Sequence, residues 1–141
     1  MKTSTLLLVA INFLGLASAA SIANPVDNPV NTLERRACFE SGASFGSQEN
    51  AALKAARTAC NGPLKGTYQK RETRVKCYGI GGGKHVKLTV GLTGPNAPSK
   101  KTIGADECYN GLISEIVSCS KGGDTTYGNW RYRADPNEGS C

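Results

Sequence analysis

Few residues in this chain are equipped for acid–base chemistry. The single histidine, His85, needs a second acid or base within hydrogen-bond reach to work as a catalytic pair. The nearest carboxylate on its inferred sheet face is Glu72. It lies six residues along a strand from Tyr78, the expected neighbour of His85, or about 20 Å at strand rise. Such a pair cannot share a proton. Glu107 and Glu115 read as the solvated face of a helix. The run Gly79-Ile80-Gly81-Gly82-Gly83 joins two strands, opens no helix and lacks the Gly-Lys-Ser/Thr of a phosphate loop. The chain is therefore read as a non-enzyme without catalytic residues, cofactor or metal.

The six cysteines, Cys38, Cys60, Cys77, Cys108, Cys119 and Cys141, carry different chemistry. None forms a C-x-x-C pair, which argues against zinc. In a small secreted domain they imply three disulfides, in one of the fifteen pairings six cysteines allow. Cys38 and Cys141 stand at the two ends of the domain and would tie both termini down.

Binding chemistry concentrates on an expected hairpin, TYQKRETRVKCY and KHVKLTVGL joined by a glycine loop. Val86, Leu88, Val90 and Leu92 alternate as a half-buried strand does. A four-residue loop, residues 80–83, pairs Gly79 with Lys84. Cys77 then faces Val86, Val75 faces Leu88 and Lys76 faces Lys87, with both apolar sets on one face. The other face receives Arg74, Lys76, Tyr78, His85, Lys87 and Thr89. A final strand, NWRYRA, adds either Arg131 and Arg133 or Trp130 and Tyr132. The first choice makes a basic stripe and the second an aromatic platform suited to sugar rings, although a lone tryptophan is usually buried. All of these except Thr89 are the candidate glycan contacts.

The elements that position them begin at residue 37. Residues 1–19 read as a signal peptide: Lys2, an apolar run from Leu6 to Leu16, and the small residues Ala17-Ser18-Ala19. Residues 20–36, with Asn24-Pro25 and Asn28-Pro29, read as a pro-segment ending at the dibasic Arg35-Arg36. The mature domain is then 37–141, secreted and extracellular. It keeps 14 basic and 9 acidic residues, a net +5. That charge favours an anionic cell-surface component or glycan as partner; nucleic acid is not expected. SQENAALKAARTAC is predicted to be a helix capped by Ser47, and DECYNGLISEIVSCS a second one capped by Asp106. In the second, Tyr109, Leu112, Ile113, Ile116 and Val117 form an apolar stripe. GPNAPSKK reads as a loop. The order predicts an α+β fold, a small disulfide-rich α/β sandwich with two helices on one face of an antiparallel sheet.

Four segments form an ordered set: CFESG, ACNGPLKGTY, DECYNGLISEI and GGDTTYGNWRYRADPNEGSC. Together they resemble the family of fungal secreted glycan-binding proteins of the Y-three lectin type, across essentially all of 37–141. The ending, with its Gly-Gly, tryptophan and ADPN-x-G-x-C, is the most specific part. The resemblance implies an α/β sandwich, non-catalytic binding of N-acetylglucosamine-type glycans, a role in defence or host interaction, and homodimers that join sheet edges. In topology and cysteine richness alone the layout also resembles killer toxins. That leaves an antimicrobial protein or host-directed effector as the alternative.

Overall fold

The computed structural model describes residues 37–141. The expected signal peptide and pro-segment lie outside the described residues. Helix α1, Glu49–Asn61, buries Ala52, Ala55, Ala56, Ala59 and Cys60. Alanine favours helix and leaves little side-chain volume, so this face lies close to its neighbours. Leu53 is only half-buried. The turn after α1 closes with the Gly62 and Leu64 N–H groups on the Ala59 carbonyl.

Helix α2, Ala105–Val117, starts after Gly104. Neither expected cap is made. Ser47 falls in a 3-10 turn, Gly46–Gln48, ahead of α1, and Asp106 lies inside the first turn of α2. There its charge still complements the helix dipole. Leu112 and Ile116 are buried as expected, whereas Val117 is exposed. Glu115, read from sequence as solvated, is buried at 2 % exposure and accepts a hydrogen bond from Thr125 at 3.1 Å.

Among the described residues there are also seven strands, all paired antiparallel. They are β1 Ala37–Cys38, β2 Gly66–Gln69, β3 Thr73–Gly81, β4 Lys84–Gly91, β5 Lys100–Ile103, β6 Gly123–Tyr127 and β7 Trp130–Glu138. Five make the main sheet, in the order β1-β6-β7-β4-β3, and β2 with β5 makes a separate ribbon. The segment read as one strand, TYQKRETRVKCY, is thus broken at residues 70–72, and the loop GPNAPSKK ends in β5. Strand β6 occupies most of what reads as loop before Trp130. Both helices pack on one face of the main sheet, over Val86, Leu88, Val90, Trp130, Tyr132 and Ala134. The fold is a small disulfide-rich α+β domain, as the sequence predicts.

The hairpin register differs from expectation by one residue. Gly79 pairs with His85 and Gly81 with Lys84, with a bulge between them at Ile80. Gly82 and Gly83 alone form the loop. Gly81, Gly82 and Gly83 all take positive φ, which a tight turn here requires. Cys77 therefore faces Lys87, and Lys76 faces Leu88 rather than Lys87. The expected Lys76–Lys87 clash does not exist. A one-residue slip exchanges the faces of a strand, so Arg74, Lys76 and Tyr78 fall on the helix side. Val75, expected in the core, is 52 % exposed.

The disulfides are Cys38–Cys119, Cys60–Cys108 and Cys77–Cys141. The first holds β1 against the end of α2, the second joins α1 to α2, and the third fastens the C-terminal tail to β3. Both ends of the domain are tied, as the cysteine positions predict.

Candidate functional site

The main sheet has one face without helices. Alternation along β7 sends Trp130, Tyr132, Ala134 and Pro136 into the core and Arg131, Arg133, Asp135 and Asn137 to this open face. Of the two arrangements the sequence leaves open, the structure holds the one with Trp130 buried: its ring, 2 % exposed, meets Tyr68 edge-on at 5.2 Å. Strand pairing brings Lys87 opposite Asp135 and Thr89 opposite Arg133, and Asp124 opposite Arg133.

Of the nine residues predicted to contact glycan, the open face thus collects Lys87, Arg131 and Arg133. His85 also points to this side, but it is 6 % exposed. The C-terminal tail reaches it, the Gly139 carbonyl accepting from His85 Nδ1 at 2.8 Å. Trp130 and Tyr132 belong to the core. Arg74, Lys76 and Tyr78 belong to the other side of β3, because of the Ile80 bulge. Arg74 there donates to Glu72 at 2.8 Å and to the carbonyls of Lys65 and Thr67.

Residues that sequence reasoning missed complete the open face. The Asp124 carboxylate accepts from Arg131 Nε at 2.7 Å and from a second Arg131 nitrogen, a bidentate pair. Arg133 Nη1 lies 3.4 Å from Asp124, its Nη2 donates to Asp135 at 2.7 Å, and its guanidinium stacks 4.8 Å over the Phe39 ring. The signal for Asp135 and Asn137 was present in the sequence, since they continue the alternation begun by Arg131 and Arg133. Lys87, Arg131 and Arg133 against Asp124 and Asp135 leave this face with a net charge of only +1.

Asp124 is half-buried, which on its own raises a carboxyl pKa. The hydrogen bonds from Arg131 and the charges of Arg131 and Arg133 outweigh that and hold it below its ordinary value. The same pair holds Arg131 above its ordinary value. A depressed carboxyl contributes stability that is complete above its unfolded pKa, about 4, and is lost as pH falls through the folded value. Asp124→Asn should thus cost about 1–2 kcal/mol at neutral pH, a charge-assisted bond discounted for partial exposure. The cost should shrink below about pH 4. Urea titrations of both proteins at neutral and acid pH read this; a pH-independent difference would contradict the ion-pair account.

A concavity of about 410 Å³ lies between the helices and is lined by Asn50, Leu53, Lys54, Arg57 and Tyr109. Arg57 fills part of it, 3.5 Å over the Tyr109 ring and 3.7 Å from Asp106. The guanidinium thus covers one face of this ring.

No curated protein matches the chain. Residues 53–141 match the family model described as Glycan binding domain Y3. The matched stretch runs from within α1 to the last cysteine and includes every open-face residue except Phe39 and those of β1. A binding role, with glycans as partners, agrees with a surface built from ion-paired side chains, and the three disulfides are consistent with an extracellular protein. With well over half its length matched, the chain belongs to the Glycan binding domain Y3 family.

Proposed function

We propose that the protein is a secreted lectin that holds neutral, N-acetylglucosamine-type glycans on its open sheet face, in defence or host interaction. The observation that carries this reading is the lattice Arg131–Asp124–Arg133–Asp135. Ion pairing fixes these planar groups on paired strands before any ligand arrives, so little ordering cost remains on binding. Their remaining lone pairs and N–H groups suit sugar hydroxyls, which both accept and donate. Near-neutral net charge on this face favours an uncharged ligand over a polyanion.

The test is an array of oligosaccharides on the processed, oxidised protein, followed by titration of the best ligand with Lys87→Ala, Arg133→Ala and Asn137→Ala. Each variant is first checked for an unchanged melting temperature. Arg133→Ala should weaken binding tenfold or more, about 1.4 kcal/mol, and 0.5 M added salt should change the parent's affinity little because the ligand is neutral. Parent-like affinity in all three variants would move the site elsewhere. Inhibition of target cells that free sugar does not reverse would favour the antimicrobial reading instead.

A further inference from the structure

The β2–β5 ribbon gathers positive charge that the open face does not use. Strand pairing sets Gln69 opposite Lys100 and Tyr68 opposite Lys101, and the Lys70 N–H donates to the Ser99 carbonyl at 2.8 Å. Lys70, Arg71 and Lys100 therefore gather at one end of the ribbon, all exposed, while Lys101 turns to the face of Tyr68, half-buried, with its Nζ 6.0 Å from the Trp130 ring centroid. Lys65 lies at the other end of β2, where its backbone carbonyl accepts from Arg74 at 3.1 Å.

Among the described residues one acid, Glu72, adjoins the turn, and it is already engaged. Its two oxygens accept from the Gln69 N–H at 2.7 Å and from Arg74 at 2.8 Å. The next acid along the chain after Lys101, Asp106, faces Arg57. Like charges gathered without counter-charges repel one another, and the repulsion is relieved by a polyanion.

A backbone feature points the same way. Residues 69–72 form a turn closed by the Glu72 N–H on the Gln69 carbonyl at 2.9 Å. Its third residue, Arg71, has φ 69° and is the only non-glycine residue with positive φ among those described. That turn position favours Gly or Asn. The chain places a long cation there, in a conformation its Cβ disfavours, and the guanidinium has no partner among the described residues.

We propose that this ribbon end is a second binding site, separate from the open face, for an anionic polysaccharide bearing sulfate or carboxylate groups. The exposed large apolar side chains, Val75, Val117 and Tyr127, belong neither to the turn nor to β5. The patch therefore has no apolar wedge for a bilayer and no aromatic platform for stacking single-stranded bases. A sulfated or carboxylated chain needs only spaced cations.

The probe is immobilised heparin, eluted with a salt gradient, with Arg71→Gly and Lys70→Ser/Lys100→Ser as variants. Arg71→Gly removes the charge and supplies the residue the turn prefers, so its melting temperature should equal or exceed the parent's while it elutes at lower salt. The double variant should elute earlier still. The dependence of log Kd on log salt should fall by about one for each cation removed, by analogy with other polyelectrolytes. Neutral oligosaccharide affinity should stay within twofold in every variant. Parent-like elution of both variants would overturn the proposal. So would parallel loss of neutral-sugar binding, since the two sites would then be one. Equal retention on vesicles of equimolar phosphatidylcholine and phosphatidylserine would overturn the choice of polysaccharide.

Discussion

Gly122→Ala should cost about 3–5 kcal/mol, the sum of a left-handed backbone forced on a side chain and an overpacked contact. Gly122 has φ 80°, and a Cβ built there would lie 2.0 Å from the Ala134 carbonyl oxygen and 2.7 Å from Pro136 Cδ. Backbone cannot move aside as a side-chain tip can. The residue is also bonded on both sides: its N–H donates to the Cys119 carbonyl at 2.8 Å, and its own carbonyl accepts from the Phe39 N–H at 2.9 Å. Any shift at Gly122 would disturb the exit of α2 and the seating of the first strand together. A loss of this size is a large share of the 5–15 kcal/mol typical of a domain. Urea unfolding of the oxidised protein, followed by the buried Trp130, measures it. Gly139→Ala is the control, because Gly139 has φ 87° with nothing within 4 Å of the added Cβ. It should cost about 1 kcal/mol, from backbone alone. Equal costs at the two positions would show that the close approach contributes nothing.

Replacing Cys60 and Cys108 together by alanine should cost at least about 4 kcal/mol and lower the melting temperature by roughly 20 °C. The bridge spans 48 residues, for which loop-closure entropy in the unfolded chain gives about that value. The other two bridges span 64 and 81 residues, and the logarithm makes their entropic contributions nearly the same. The difference lies in packing. Both sulfurs of Cys60–Cys108 belong to fully buried residues between α1 and α2, so their removal also leaves unfilled space. The alanine-rich face of α1 has no longer side chains to collapse into it. Cys141, by contrast, is exposed. Thermal melts of the three double variants rank them. An equal or larger loss on removing Cys77–Cys141 would refute the packing argument.

The helices and the buried side of β4 were legible in the sequence because their periods, near 3.6 and 2, survive across many residues. The hairpin register was not. Four glycines within residues 79–83 can serve equally as loop or as bulge, and no side chain marks where pairing stops. That single ambiguity decided the face of every β3 residue, and so displaced Arg74, Lys76 and Tyr78 from the candidate site. Strands β2 and β5 are four residues each, too short and polar to show alternation above a loop background. Asp124 escaped notice because its strand lies in a Gly-Asp-Thr-Thr-Tyr-Gly stretch that reads as a turn. Part of the most specific motif of the ending also proves structural: Gly122 fits against Ala134 and Pro136, so this part of the ending reports how β6 meets β7.

The crosslinks also govern how the molecule would respond to being pulled by its ends. Cys38 and Cys141 bound the domain, yet the covalent route between them is short. It passes through the Cys38–Cys119 bond and then along the 22 residues from Cys119 to Cys141. A chain of that length spans roughly 75 Å when straight, against roughly 360 Å for the whole segment without crosslinks. Tension applied at the termini therefore loads β6 and β7, which lie on that short path. Strands β2 to β5 and helix α1 sit on slack loops behind the bond. The oxidised domain thus acts as a short tether with a shielded interior; reducing that bond alone lengthens the route only to the stretch from Cys38 to Cys77 ahead of the Cys77–Cys141 bond, and the full span opens only when all three bonds are reduced.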